Sequence, residues 1–371
     1  MFSRFYEGKR VLITGVAGIK GSWLALLLLE AGAEVVGLDN RLPANDSNFV
    51  ASALGTSIKF IHGDVTDLAL MTQVLDGVDA VFHLAAVALV ARAHREPWEA
   101  YRSNTFGVAT VLEALRVRNR PIYAVFVTTD KVYKPKDGDA WVETDPLLAS
   151  GPYQVSKACA EFIIADYNAA YFHGSEIRIG VARAGNVIIG GDRNSSTRTN
   201  GAGRIVPDCF EALAAGRSPE IYVPAFTRPY TYALDIITGY MTLMSKLHRN
   251  GISGQAFNFG PYEQIGVSNS LLATKACELW GGNAGWHAGL PRQEPFDRQS
   301  LNWDKSARLL GWRPAFTFYE ALRATANWYK QSASIAPTEG YMLQFNRSQI
   351  CEHRTAAQGL GIDWAAESLV V

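Results

Sequence analysis

The stretch "FVTTDKVYKP", residues 126–135, runs from apolar residues straight into an acid and a base, Asp130 and Lys131. Two such groups side by side could deliver and remove protons at neighbouring atoms of one ligand. A lysine that acts as a base must be partly neutral, which takes burial or nearby positive charge. If Lys131 serves as one, it is expected inside a pocket. A second pair follows in "GPYQVSKACAE", where Tyr153 and Lys157 stand four residues apart. On a helix that spacing puts both side chains on one face. A phenol ordinarily titrates near ~10, and an adjacent ammonium favours the phenolate. Tyr153 could then serve as a general base toward an alcohol or sugar hydroxyl. Either pair alone is common on protein surfaces, so the elements that carry them decide.

Those elements read as alternating strands and helices. Buried strands are expected at 10–14, 33–38, 58–63, 79–86 and 123–129, with helices at 19–31 and 98–116 between them. A helix over 151–171 leads to a further strand at 177–185, and 255–260 could add one more. Continuous apolar runs of this kind mark strands covered on both faces, hence a doubly wound parallel α/β sheet of the Rossmann type. Ligands of such sheets collect at the carboxyl ends of the strands. Asp130 and Lys131 stand at such an end.

At the start of the chain, Gly15, Gly18 and Gly21 in "VLITGVAGIKGSW" occupy a strand-to-helix turn, with Ile19 opening the helix. Missing side chains let the backbone approach a pyrophosphate, whose charge the helix amino terminus favours. Asp39 ends the second strand, about 20 residues on, where an acid accepts the adenosine ribose hydroxyls. That favours NAD over NADP, although Arg41 could accommodate a 2′-phosphate. Asp64 and Val65 in "HGDVTD" and Ala85 and Ala86 in "HLAA" are placed along the adenine and ribose side. Close strand packing would equally account for the alanines.

The 371 residues are 48% hydrophobic and 19% charged, ordinary for a globular protein with a sizeable core. Basic and acidic residues balance at 35 each, which gives no electrostatic footing for nucleic acid or a membrane surface. Four widely spaced cysteines and the absence of a signal-peptide pattern point to a reducing cytoplasm. The seven histidines have no metal-ligand spacing, and no metal is expected.

The combination of a TGxxGxxG turn, a strand-end threonine (Thr129) and YxxxK resembles the extended short-chain dehydrogenase/reductase family. Within it, "GVAGIKGSWL", "TTDKVY", "PYQVSKACAE" and "RAGNVIIGGD" are similar to the nucleotide-sugar 4,6-dehydratases, in the branch that acts on CDP-glucose. The resemblance covers roughly residues 7–350. It implies oxidation at C4 of a nucleotide-bound hexose, loss of water across C5 and C6, and return of hydride to C6. Tyr153 would be the base at the C4 hydroxyl, helped by Lys157, with Thr129 on the C4 oxygen. Asp130 would be the acid at C6 and Lys131 the base at C5. Asn186, Arg204 and Arg228, with Arg298 as a weaker choice, would meet the diphosphate. A homodimer through a four-helix bundle is implied for the helices near 98–116 and 151–171.

The substrate side departs from the family. Val87, Ala88, Ala91 and Ala93 replace its usual residues near the sugar, Tyr230-Thr231-Tyr232 replaces Trp-Gln-His, and the loop at 194–203 is longer. The expected organisation is an NAD-binding region over 1–186 with a chain return at 233–260. A sugar-nucleotide region follows from 187–232 and 261–335, then a tail at 336–371. A C4 epimerase or another keto-intermediate nucleotide-sugar enzyme would use Thr129, Tyr153 and Lys157 without Asp130 and Lys131 as a pair. A non-catalytic NAD-binding protein would need none of them.

Overall fold

The computed structural model describes residues 2–136, 139–148, 150–192, 204–282, 284–289 and 299–366. After a short helix, Phe2–Tyr6, come β1 (Arg10–Thr14), α1 (Ile19–Glu30), β2 (Glu34–Asp39), β3 (Lys59–His62) and β4 (Ala80–His83). Next come α2 (Gly107–Arg118), β5 (Ile122–Val127), α3 (Pro152–Tyr167) and β6 (Ile177–Ala184). α4 (Ile205–Ala214), α5 (Ala233–Lys246), β7 (Ala256–Phe259), α6 (Asn269–Trp280), α7 (Phe318–Ala333) and α8 (Leu343–Gly359) follow.

The seven strands form one parallel sheet in the order β7-β6-β5-β4-β1-β2-β3. The order reverses between β1 and β4, the switch point where such sheets bind ligands. Alternate residues feed two cores. Leu12, Val81 and Phe126 pack with Val111 and Leu115 of α2 and Ile164 of α3. Ile13, Phe82 and Val125 pack with Trp23 of α1 and Ile237 and Met241 of α5. The second core continues without a break into Phe210 of α4, Leu272 of α6 and Trp328 of α7. The carboxyl-terminal helices therefore share the sheet's core.

The expected helices are present, two of them with a π-turn. Ahead of α2, residues Arg102–Phe106 form a π-turn between Pro97–Tyr101 and Gly107, and a second π-turn, Asn168–Phe172, extends α3. The wider turn rotates Asn104 inward, where it is fully buried. The tail forms α8, a longer helix than its sequence pattern suggests.

Candidate active site

The cofactor end is built by backbone approach. Gly15 N–H donates to the Leu38 carbonyl (2.7 Å), which pins the turn after β1 onto β2. Gly15 has φ +75°, and a Cβ there would lie 2.8 Å from Ala85 N. A Cβ on Gly21 would run into the Gly15 carbonyl oxygen. Gly18 precedes α1 without a side-chain cap, so the first turn of the helix opens toward the space beyond the strand ends. Asp39 is buried at the end of β2 and accepts from Ala17 N (3.1 Å) and Arg41 N (3.0 Å). Burial raises its pKa, against those hydrogen bonds. A cradle that any Cβ would fill, with an acid at the end of β2, fits a dinucleotide.

Ala85 N donates to Thr14 Oγ1 (3.2 Å), placing Ala85 and Ala86 against the cradle. Asp64 is half-buried; burial works to raise its pKa, but Thr66 and Arg102 together hold it below the usual value. Its carboxylate meets Arg102 Nη2 at 2.8 Å, and Val65 beside it is buried over Gly107.

Thr129, Asp130 and Lys131 follow β5 in a short 3-10 turn that Thr129 caps. Thr129 Oγ1 accepts from Lys131 N (3.3 Å) and donates to Asp130 Oδ1 (3.0 Å). Asp130 is buried, and its Oδ2 has no hydrogen-bond partner among the described residues. Gly185 leaves room for it: a Cβ there would sit 3.0 Å from Asp130 Oδ2. Lys131 is half-buried, with Nζ donating to Gln299 Oε1 at 3.0 Å.

Tyr153 and Lys157 project from α3 toward the same strand end, and Lys157 Nζ donates to Val127 O (3.0 Å). Burial pushes the Tyr153 phenol up to about 12; Thr129 pulls it down and Asp130 pushes it further up. The lowering expected from Lys157 is absent in the protein by itself, because that lysine, lowered to about 7, is neutral before the phenol titrates. Lys157 falls to about 7, through burial first and then the charge of Lys20, with Glu161 opposing. Half-buried Lys20 lies over the Tyr240 ring (5.9 Å) and falls to about 8 through burial, with Asp130 opposing. Burial and Lys157 also take His83 down to about 3, so its ring is neutral.

Several supporting residues carry no signal of their own in the sequence, since each meets partners remote in the chain. Asn104 Oδ1 accepts from Val87 N (2.7 Å), and its Nδ2 donates to Ser156 Oγ (2.9 Å), joining the β4 exit loop to α3. Glu161 and Arg183 form a buried ion pair beneath Thr128. Gln299 reaches Lys131 from beyond α6.

The residues expected at a diphosphate are more scattered. Asn186 is half-buried at the end of β6, its carbonyl accepting from Thr231 N (2.9 Å). Arg204 stands ahead of α4 and pairs with buried Asp192 (2.6 Å). Arg228 donates to Thr227 O (2.8 Å) and lies over Phe226. Arg298 and the 194–203 loop fall outside the described residues.

Residues 11–260 match the model of the NAD dependent epimerase/dehydratase family. Over 340 residues the chain is 31% identical to CDP-glucose 4,6-dehydratase of Salmonella typhimurium, covering 88% of this chain and 92% of that protein. Among solved structures, a double mutant of the dTDP-glucose 4,6-dehydratase DesIV from Streptomyces venezuelae, with NAD and DAU bound, gives a TM-score of 0.75 at 26% identity. That match covers 87% of this chain and 97% of the other. The UDP-glucose 4-epimerase of Thermotoga maritima, with UDP-glucose, gives 0.76 at 23% identity, over 87% and 99% of the two chains. At that identity the epimerase match speaks to the fold alone.

Proposed function

This chain belongs to the NAD dependent epimerase/dehydratase family, and from that premise we propose that it is a nucleotide-sugar 4,6-dehydratase, converting CDP-glucose to CDP-4-keto-6-deoxyglucose with NAD as cofactor. The observation that carries the reading is the buried Asp130, with an oxygen unpartnered among the described residues, between Thr129 and Lys131. A C4 epimerase has no task for that acid and base. A 4,6-dehydratase has a task for each.

Gly15, Gly18, Ile19 and Gly21 would hold the NAD pyrophosphate, Asp39 the adenosine ribose, and Asp64, Val65, Ala85 and Ala86 the adenine side. NAD, when bound, supplies a reversible hydride acceptor. Tyr153 takes the proton of the C4 hydroxyl while Thr129 holds the same oxygen. Lys157, when charged, favours the phenolate and holds the nicotinamide ribose. A ketone at C4 acidifies the C5 proton, which Lys131 removes. Asp130 gives its proton to the C6 hydroxyl, which leaves as water. Lys131 then returns a proton to C5 as the hydrogen taken from C4 arrives at C6. Asn186, Arg204, Arg228 and Arg298 would face the substrate diphosphate, Arg204 exchanging Asp192 for a phosphate.

The sugar-nucleotide region would comprise 187–232 and 261–335, over the NAD-binding region of 1–186 and 233–260. A homodimer is supported by large apolar side chains exposed on the two expected helices, Trp98 and Phe106 on one, Phe162 and Tyr171 on the other. A cytoplasmic setting is supported by four unpaired cysteines. Among the described residues no helix is long and apolar enough to cross a membrane.

The test is mass spectrometry of the protein with glucose linked to CDP, dTDP, UDP or GDP in heavy water. Loss of one water with gain of one deuterium is expected from CDP-glucose. An isomer of unchanged mass would favour epimerisation instead. Asp130→Asn should slow water loss by about 10²–10⁴-fold while C5 exchange persists, and Lys131→Met should stop the exchange.

A further inference from the structure

Glu161 lies four residues beyond Lys157 on α3 and is buried against Arg183 of β6. Its carboxylate is saturated by donors. Arg183 Nε donates to Oε1 and Oε2 (3.0 Å each), and Nη2 donates to Oε2 (2.5 Å). Thr128 Oγ1 donates to Oε1 (2.6 Å). Arg183 Nη1 donates to Tyr133 OH (2.8 Å) and to Glu143 O (3.2 Å), and its guanidinium lies over the Tyr133 ring. Tyr133 OH in turn donates to Asn258 Oδ1 of β7 (2.6 Å).

A buried ion pair is a poor way to gain stability. Removing both charges from water is costly, and apolar replacements of similar volume are often neutral or better. This pair is placed where register matters more. Thr128 is the residue before Thr129, Tyr133 closes the turn that carries Asp130 and Lys131, and Arg183 stands three residues before Asn186. One bidentate pair thus ties the ends of β5 and β6 to the helix bearing Tyr153 and Lys157.

We propose that Glu161, held by Arg183, is a positioning residue that locks Thr129, Asp130 and Lys131 in register with Tyr153 and Lys157, so that both proton-transfer pairs meet one bound sugar. Glu161 acts through Thr128 and Lys157 and touches no substrate itself. Its charge also supports that of Lys157. The inference rests on the dehydratase reading for its consequence in turnover, not for its effect on Lys157.

Two variants separate the possibilities. Glu161→Gln keeps an acceptor for Thr128 and removes the charge. Lysine 13Cε NMR of the cofactor-free protein should then show Lys157 titrating about one pH unit lower. An unmoved midpoint would overturn the coupling. Glu161→Met with Arg183→Met leaves no unpaired charge and should fold with wild-type melting behaviour. Its kcat should fall at least tenfold, with KM for the sugar nucleotide within threefold of wild type. A folded double variant with wild-type kcat and pH profile would reduce the pair to scaffold. If the wild type dehydrates no sugar nucleotide, the dehydratase reading fails, while the NMR result still decides the coupling.

Discussion

Lys157 feels the charge of Lys20, and Lys20 that of Arg204, in a site where burial already disfavours both ammonium groups, leaving one near 7 and the other near 8. A dinucleotide held at the glycine turn would bring its pyrophosphate near that space. Its negative charge favours the protonated lysines, so binding should raise both pKa values. By linkage, the complex takes up protons wherever the free protein is partly deprotonated. At pH 8 calorimetry in buffers of different ionisation enthalpy should register a net uptake on NAD binding. Near pH 6 both groups are already charged and the uptake should vanish. Lys20→Met should remove part of the pH 8 uptake, and none at all in the wild type would mean the lysines stay charged without a ligand. At this scale the sequence is informative where the chemistry is local. Tyr153 with Lys157, and Asp130 beside Lys131, are spacings that one helix or one turn converts directly into proximity. Glu161 with Arg183, Asn104 with Val87, and Lys131 with Gln299 meet only because the sheet brings them together, and no spacing announces it.

At the level of elements, the inner strands are legible because they are covered on both faces, so their residues form largely apolar runs, whereas β3 at the sheet edge leaves Lys59 and His62 exposed. The two-residue strands of the carboxyl-terminal region, such as Thr227–Arg228 against Val267–Ser268, are too short for a period to show. The helices flanking β5 carry a different signal. Phe162 on α3 is 60% exposed and Trp98, ahead of the Arg102–Phe106 π-turn, is 68% exposed, on helices whose opposite faces enter the core. Exposed aromatic side chains concentrated in this way mark an interaction surface. If a second copy covers it, sedimentation at micromolar concentration should give a dimer. Phe162→Glu would bury a charge in that interface and should yield a folded monomer with unchanged circular dichroism. A wild-type monomer would count against the four-helix bundle.

Across the whole molecule, the carboxyl-terminal segment closes on the beginning of the chain. Trp364 stacks on Phe2 at 5.4 Å, and His353 of α8 meets Asp235 of α5 at 2.7 Å. The sequence conceals α8 because the side chains it buries are largely polar. Asn346, Gln349 and His353 recur at helical spacing, but hydrophobic periodicity does not register them. Asn346 donates to Asn48 Oδ1 (3.0 Å) and Ser52 Oγ (2.8 Å) and accepts from Trp328 Nε1 (2.7 Å). Asn48 continues the network to Ser22 of α1, the helix that opens at the glycine turn. The last long helix is thus wired to the segment beyond Asp39 and to the cofactor cradle. Asn346→Ala leaves those buried groups without partners, which should cost about 2–4 kcal/mol in urea unfolding, since each unsatisfied group costs roughly 1–3 kcal/mol. Arg347→Ala, which removes a half-exposed ion pair from α8 to Glu30 of α1, should cost at most about 1 kcal/mol. If α8 holds the cradle as well as the fold, Asn346→Ala should also weaken NAD binding several-fold under conditions where the variant is fully folded, and Arg347→Ala should not. Lost stability with unchanged NAD affinity would make α8 a clasp between the chain ends, with no bearing on the cofactor.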